Sequence, residues 1–118
     1  MPTVLITGCS SGIGRALAEA FRDGGFEVWA TARKAGDVER LASAGFTARA
    51  LDVNDAQALA TLADELQARG ASLDVLVNNA GFGAMGPLLD GGASVLRAQF
   101  ETNVFAMVAV TRALFPLL

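Results

Sequence analysis

The chain has 118 residues, 53% of them hydrophobic, a mean hydropathy of +0.43 and a formal net charge of −3. That length is one domain or part of one, and the apolar excess fits a sheet buried on both faces, a surface made for a partner, or both. The acidic balance and scattered arginines argue against a nucleic-acid footprint, no charge-free run reaches the roughly 18 residues of a membrane span, and a chain with no histidine and one cysteine, Cys9, has no N/S metal set.

Strand-like and helix-like stretches alternate from the start. Residues 3–7 (TVLIT) are a short β-branched strand, and Ile13, Leu17, Ala20 and Phe21 then recur at helical spacing up to a Gly24-Gly25 stop. Residues 26–31 read as a second strand. Val38, Leu41 and Ala42 mark a short helix closed by Gly45, and residues 46–51 read as a third strand interrupted by Thr47 and Arg49. In the next helix Asn54 is the expected cap, with Gln57 reaching back to it. Leu59, Leu62, Ala63 and Leu66 form its apolar face and Gly70 its end. Residues 73–77 are a nearly all-apolar fourth strand, followed by a glycine-rich loop over 81–86 and a helical stretch over about 93–118, broken near Thr102-Asn103. A β-α-β-α-β-α-β-α order implies an α/β fold, a parallel sheet with helices on both faces.

The first strand runs into TGCSSGIG, residues 7–14. Gly8 permits a tight turn, Gly12 lets backbone approach an anion without a Cβ in the way, and Gly14 allows a helix to pack close on a strand. Free N–H groups at the new helix's positive end then face an anion, with Ser10 and Ser11 as further donors. Ile13 stands where a Walker A loop needs glycine and no Gly-Lys follows, so the pattern is not that of a P-loop. The plainer reading is a glycine-rich strand-to-helix turn without a ligand.

The same eight residues match T-G-x-x-x-G-x-G, and three further elements follow in order: Asp52-Val53, Asn78-Asn79-Ala80-Gly81, and Asn103 on the last helical stretch. With these the whole chain resembles the short-chain dehydrogenase/reductase family. The resemblance implies a Rossmann-like doubly wound parallel sheet of about four strands, order 3-2-1-4, with residues 1–118 as the N-terminal part of a single NAD(P)-binding domain. It further implies that Gly8, Ser10, Ser11, Gly12, Ile13 and Gly14 hold the cofactor pyrophosphate. Asp52, beside Val53, would accept a hydrogen bond from the adenine amino group, and Asn79, Ala80 and Gly81 would line the ribose side through backbone groups. Asn and Gly equally suit a sharp turn at a strand end.

Ala32 stands where dinucleotide folds of this kind place an acid for the ribose 2′-OH, and Arg33 follows it. A guanidinium pairs with a 2′-phosphate that a carboxylate repels, so the expected cofactor is NADP (NADPH). The alternative for Arg33 is a solvated loop charge. Lys34 is a weaker candidate, and Arg15, in a first helical turn, opposes the dipole and is expected to point outward.

By resemblance, catalysis in the family needs a Ser and a Y-x-x-x-K pair. This chain contains no tyrosine, and Lys34 is its one lysine. Of the family's active-site members only Asn103 is present, implied to hold a proton-relaying water; its alternative role is a helix cap. The expectation is therefore the cofactor-binding portion of an NADP-dependent oxidoreductase that moves hydride between nicotinamide and a small carbonyl or alcohol substrate. By itself the chain is expected to be inactive. The competing expectation is a non-catalytic nucleotide-binding or interaction module. The fourth strand would be an apolar edge, and the last helix is apolar on more than one face, so a homo-oligomer is expected. A lone cysteine and the absence of a leader pattern point to the cytoplasm, with neither membrane nor nucleic acid as partner.

Overall fold

Every side chain of the first strand, β1 (Thr3–Ile6), is buried. Because successive side chains alternate across a strand, Val4 and Ile6 enter one core layer and Leu5 the other. A strand apolar on both faces belongs in the middle of a covered sheet. In the computed structural model, which describes residues 1–82, 86 and 88–118 (residues 88–90 through their backbone), β1 lies between β2 (Glu27–Ala32) and β4 (Val75–Val77). Val4 is in register with Val28 on one side and Val75 on the other. β3 (Thr47–Ala50) pairs outside β2, so the order is β3-β2-β1-β4 with every pairing parallel.

Helices α1 (Gly12–Asp23) and α2 (Ala35–Ser43) supply Ala18 and Leu41 to the layer holding Val4, Ile6, Val28 and Ala30. On the opposite face α3 (Ala56–Ala68) contributes Leu59, Leu62 and Leu66, which meet Leu5, Trp29 and the Ala106, Val110 and Leu114 stripe of α5 (Ala106–Leu114). This is the doubly wound α/β arrangement expected, with the carboxyl ends of the strands gathered along one edge. Among the described residues no helix is long and apolar enough to cross a membrane.

Two local expectations are corrected. The cap of α3 is Asp55, not Asn54: its Oδ1 accepts from the amides of Gln57 and Ala58 at 3.0 and 3.1 Å. An ionised carboxylate at a helix N-terminus gains from the dipole as well as the hydrogen bonds, and the Asn54 side chain is engaged elsewhere. The break near Thr102-Asn103 is a π turn, Glu101–Phe105, which joins α4 (Leu88–Phe100) to α5 without interrupting the helix. α4 itself kinks at Gly92, so regular helix starts at about the expected position. Part of the expected loop at 81–86 lies outside the described residues.

Arg49 does not disrupt the third strand, because β3 is a sheet edge and the side chain has a partner. Its guanidinium donates to both Glu65 oxygens, at 2.6–3.0 Å, while Arg69 meets the same carboxylate at 3.1 Å. Both guanidinium groups lie over Trp29, which is only 2% exposed. The Arg49 hydrogen bonds, followed by the charges of Arg49 and Arg69, hold the Glu65 carboxyl below the usual glutamate range. A lowered folded-state value contributes stability above the ordinary glutamate pKa, near pH ~4.3, and loses it as pH falls through the lowered value. The groups lie near the surface, so Glu65→Gln is expected to cost only about 0.5–1 kcal/mol at pH 7. Urea unfolding at pH 7 and pH 3 checks this, since the difference between the two proteins should shrink at the lower pH.

Candidate functional site

The loop leaving β1 is built by close approach. Gly8, at φ +71°, takes a left-handed turn, and a Cβ there would lie 2.8 Å from the Cα of Ala80. A Cβ on Gly14 would fall against the Gly8 carbonyl oxygen and lie 2.5 Å from Asn79 Nδ2. Only glycine satisfies both contacts. The loops after β1 and β4 are then joined: Thr7 Oγ1 accepts from the amides of Asn79 and Ala80 at 3.1 and 3.0 Å, and Asn79 Nδ2 donates to the Gly8 carbonyl at 2.9 Å.

Above this junction lies a groove of about 340 Å³. Of the residues singled out in the sequence, Gly8, Ser10, Ser11, Ile13, Arg33, Asp52, Val53, Asn79, Ala80 and Gly81 line it. Gly12 and Gly14 do not. Gly12, at φ +61°, opens α1 with free space where a Cβ would stand, whereas Gly14 is buried in the packing beneath. Ser11 occupies the N-cap position of α1 but makes no side-chain cap bond, and no acidic residue sits in the first turn. The amides of that turn and the Ser11 hydroxyl are left for an outside acceptor. Ile13, 73% exposed, presents an apolar side chain beside them.

The candidate cations divide. Arg33 is exposed at the groove wall and makes no ion pair among the described residues. Arg15 instead pairs with Glu19 at 3.0 Å and lies over the Phe46 ring, away from the groove as expected, and Lys34 is not among the lining residues. Cys9 lies inside the loop but is buried, its thiol donating to the Ile6 carbonyl at 3.2 Å; burial pushes its pKa up to about 11. It remains a neutral thiol at physiological pH.

Asn103 is not a helix cap. It sits within the π turn, where its Oδ1 accepts from the Phe82 amide at 3.0 Å and its Nδ2 donates to the Phe82 carbonyl at 2.7 Å. Its neighbour Thr102 reaches the other side, accepting from Asn54 Nδ2 at 2.9 Å. Asn78 turns away from the groove and donates to Thr111 Oγ1 at 3.1 Å. The sequence reading missed Thr7 as a double acceptor and Asn54, Phe82 and Thr102 as groove residues. The polar run Glu101-Thr102-Asn103 ahead of an apolar stretch was the available signal for the last.

A parallel sheet of order 3-2-1-4 whose first strand runs through a glycine-built turn into a helix N-terminus beside a groove is the arrangement of a dinucleotide fold. The family model for short chain dehydrogenase matches residues 2–118, and the chain belongs to that family. A short-chain dehydrogenase/reductase of Pestalotiopsis microspora is 43% identical over 115 residues, covering 97% of this chain and 42% of that protein. The NADPH-dependent 1-acyldihydroxyacetone phosphate reductase of Schizosaccharomyces pombe is 36% identical, over 93% of this chain and 38% of that protein. The crystal structure of a short-chain dehydrogenase from Streptomyces avermitilis matches with a TM-score of 0.90 at 39% identity, over 98% of this chain and 44% of that one. The chain thus spans less than half the length of these relatives.

The buried Gly14 and the open Gly12 predict unequal costs for a single methyl group. Gly14→Ala forces backbone apart and is expected to destabilise by about 2–3 kcal/mol, as overpacking does. Gly12→Ala meets no atom and pays only for its left-handed backbone, roughly 1 kcal/mol. Chemical denaturation of the two variants side by side measures the difference, and equal losses would contradict the packing described.

Proposed function

We propose that the groove binds NADP(H), and that these residues form the cofactor-binding portion of an oxidoreductase acting on a small carbonyl or alcohol substrate. The observation that carries this reading is Arg33, exposed at the groove wall without a carboxylate partner among the described residues, directly after an apolar, buried Ala32. A carboxylate at position 32 would repel a 2′-phosphate, whereas Arg33 can receive one bidentately. The NADPH dependence of the Schizosaccharomyces pombe relative is in keeping with this.

The donor set fits the phosphate-bearing half of such a cofactor. The first-turn amides of α1 with Ser10 and Ser11 would hold the pyrophosphate, Asp52 beside Val53 would accept from the adenine amine, and Asn79, Ala80 and Gly81 would border the ribose side. When bound, the nicotinamide supplies or accepts the hydride. Nothing in these 118 residues provides a tyrosine, and the one lysine is Lys34, so we assign them binding without turnover. Asn103 keeps its family position in this reading, with both ends of its side-chain amide engaged by Phe82.

The proposal extends to a cytoplasmic homo-oligomer. Phe105, Met107, Val108 and Phe115 are exposed along the last helix and its C-terminal turn, an apolar surface of the kind that marks an interface. Sedimentation velocity at micromolar concentration is expected to show a dimer or larger; a monodisperse monomer contradicts this part.

The cofactor reading is tested by titrating the chain with NADPH and NADH and following Trp29 fluorescence or calorimetric heat. NADPH is expected to bind at least tenfold more tightly, as a charge-assisted pair warrants, and Arg33→Ala to remove most of that preference. Equal affinities in the unmutated chain would remove the case for Arg33 and leave a non-selective nucleotide module.

A further inference from the structure

Asp52 is an exposed groove residue that needs a defined orientation if it is to read a base, and the structure shows what orients it. Its Oδ1 accepts from the Asn54 amide at 2.9 Å, and its carbonyl accepts from the Asp55 amide at 2.8 Å. The second carboxylate oxygen has no partner among the described residues. These bonds are local and fix the turn only relative to itself. Leu51 and Val53 anchor the turn in the core on either side of Asp52, and Asn54 Nδ2 ties it across the groove, donating to Thr102 Oγ1 at 2.9 Å, 48 residues away in sequence.

Thr102 reaches that position because it lies in the π turn Glu101–Phe105. Such a turn widens the helix by one residue and re-aims its side chains, often at functional sites. Here two consecutive residues grip two different loops: Thr102 holds the one after β3, and Asn103 holds Phe82 after β4. β3 and β4 are the two outer strands of the sheet. One helical turn therefore sets the loops from both sheet edges relative to each other, with the groove between them lined by Asp52, Asn54, Phe82 and Thr102.

We infer that Thr102 and Asn54 are positioning residues for base recognition: Thr102 fixes Asn54, the Asn54 amide holds one oxygen of Asp52, and the other oxygen is thereby presented to the amino group of an adenine. This rests on the proposal that the groove takes NADP(H), and it adds that base selectivity depends on a hydrogen bond between two residues of the protein.

The test compares NADPH with its hypoxanthine counterpart, which carries a carbonyl in place of the adenine amine, using the full 118-residue chain. The unmutated protein is expected to favour NADPH roughly tenfold, since a charge-assisted hydrogen bond is replaced by two opposed acceptors. Thr102→Val and Asn54→Ala should each reduce that ratio about fivefold, chiefly by weakening NADPH binding, and Thr102→Ser should restore it. A purely structural role would weaken both ligands in parallel. An unchanged ratio in folded variants, or unfolding of both Thr102→Val and Asn54→Ala, would overturn the inference. Asp52→Asn separates the two levels. If it lowers the ratio while the Thr102 and Asn54 variants do not, only the positioning role fails. If it leaves the ratio unchanged, or the unmutated chain binds neither ligand, the cofactor assignment fails with it.

Discussion

The groove depends on how closely α1 and the loop after β4 approach the end of β1. Gly8 and Gly14 remove the two Cβ atoms that would hold these segments apart, and a single hydroxyl, Thr7 Oγ1, then accepts from two successive amides across the junction. Neither feature is effective alone. The half-buried Ala80 amide finds its acceptor in Thr7 Oγ1, the Asn79 amide is shared between that hydroxyl and the Val77 carbonyl, and the hydroxyl is within reach because the glycines let the backbones meet. The positive end of α1 is brought to the strand edge as a consequence of this packing, so the site and the fold share one set of contacts.

Charge around that end is managed by exclusion as much as by attraction. A helix N-terminus ordinarily lowers a nearby thiol's pKa, and Cys9 lies in the loop that opens α1. Burial dominates over the backbone hydrogen bond and the Arg15 charge that act in the other direction, and the thiol stays neutral. The thiol therefore adds no anion at the start of the helix, whose first turn also lacks an acidic residue. Arg15 is paired with Glu19 and stacked on Phe46, which leaves Arg33 as the cation at the groove wall.

The elements and their order were legible because they rest on patterns that packing reinforces: alternation in β1, the Leu59-Leu62-Leu66 stripe of α3, glycine stops after α1, α2 and α3. The capping error had a different origin. Asn54 and Asp55 are both good caps by type; Asp55 takes the cap, and the Asn54 side chain bonds to Thr102, a partner 48 residues away that no local pattern reveals. The π turn was visible only as a polar run ahead of an apolar stretch, because helical periodicity does not distinguish a break from a widened turn. Asn78 and Asn79 show the same limit. They are chemically identical neighbours, yet one bonds to α5 and the other to the Gly8 carbonyl, a division set by which side of the chain each faces as it leaves β4.

The π turn also bears on where the chain's apolar excess lies. Downstream of it Ala106, Val110 and Leu114, an i, i+4, i+8 row, are buried in the core, with Ala113 and Leu117 packed part-buried against it. An ordinary surface helix buries a broader stripe. Val104, Phe105, Met107 and Val108, which a broader stripe would partly cover, remain exposed. The hydropathy of the sequence thus has two physical sources. One is the sheet, whose central strands are apolar on both faces and covered on both. The other is this helix, which carries Met107 and Val108 exposed on its outer face.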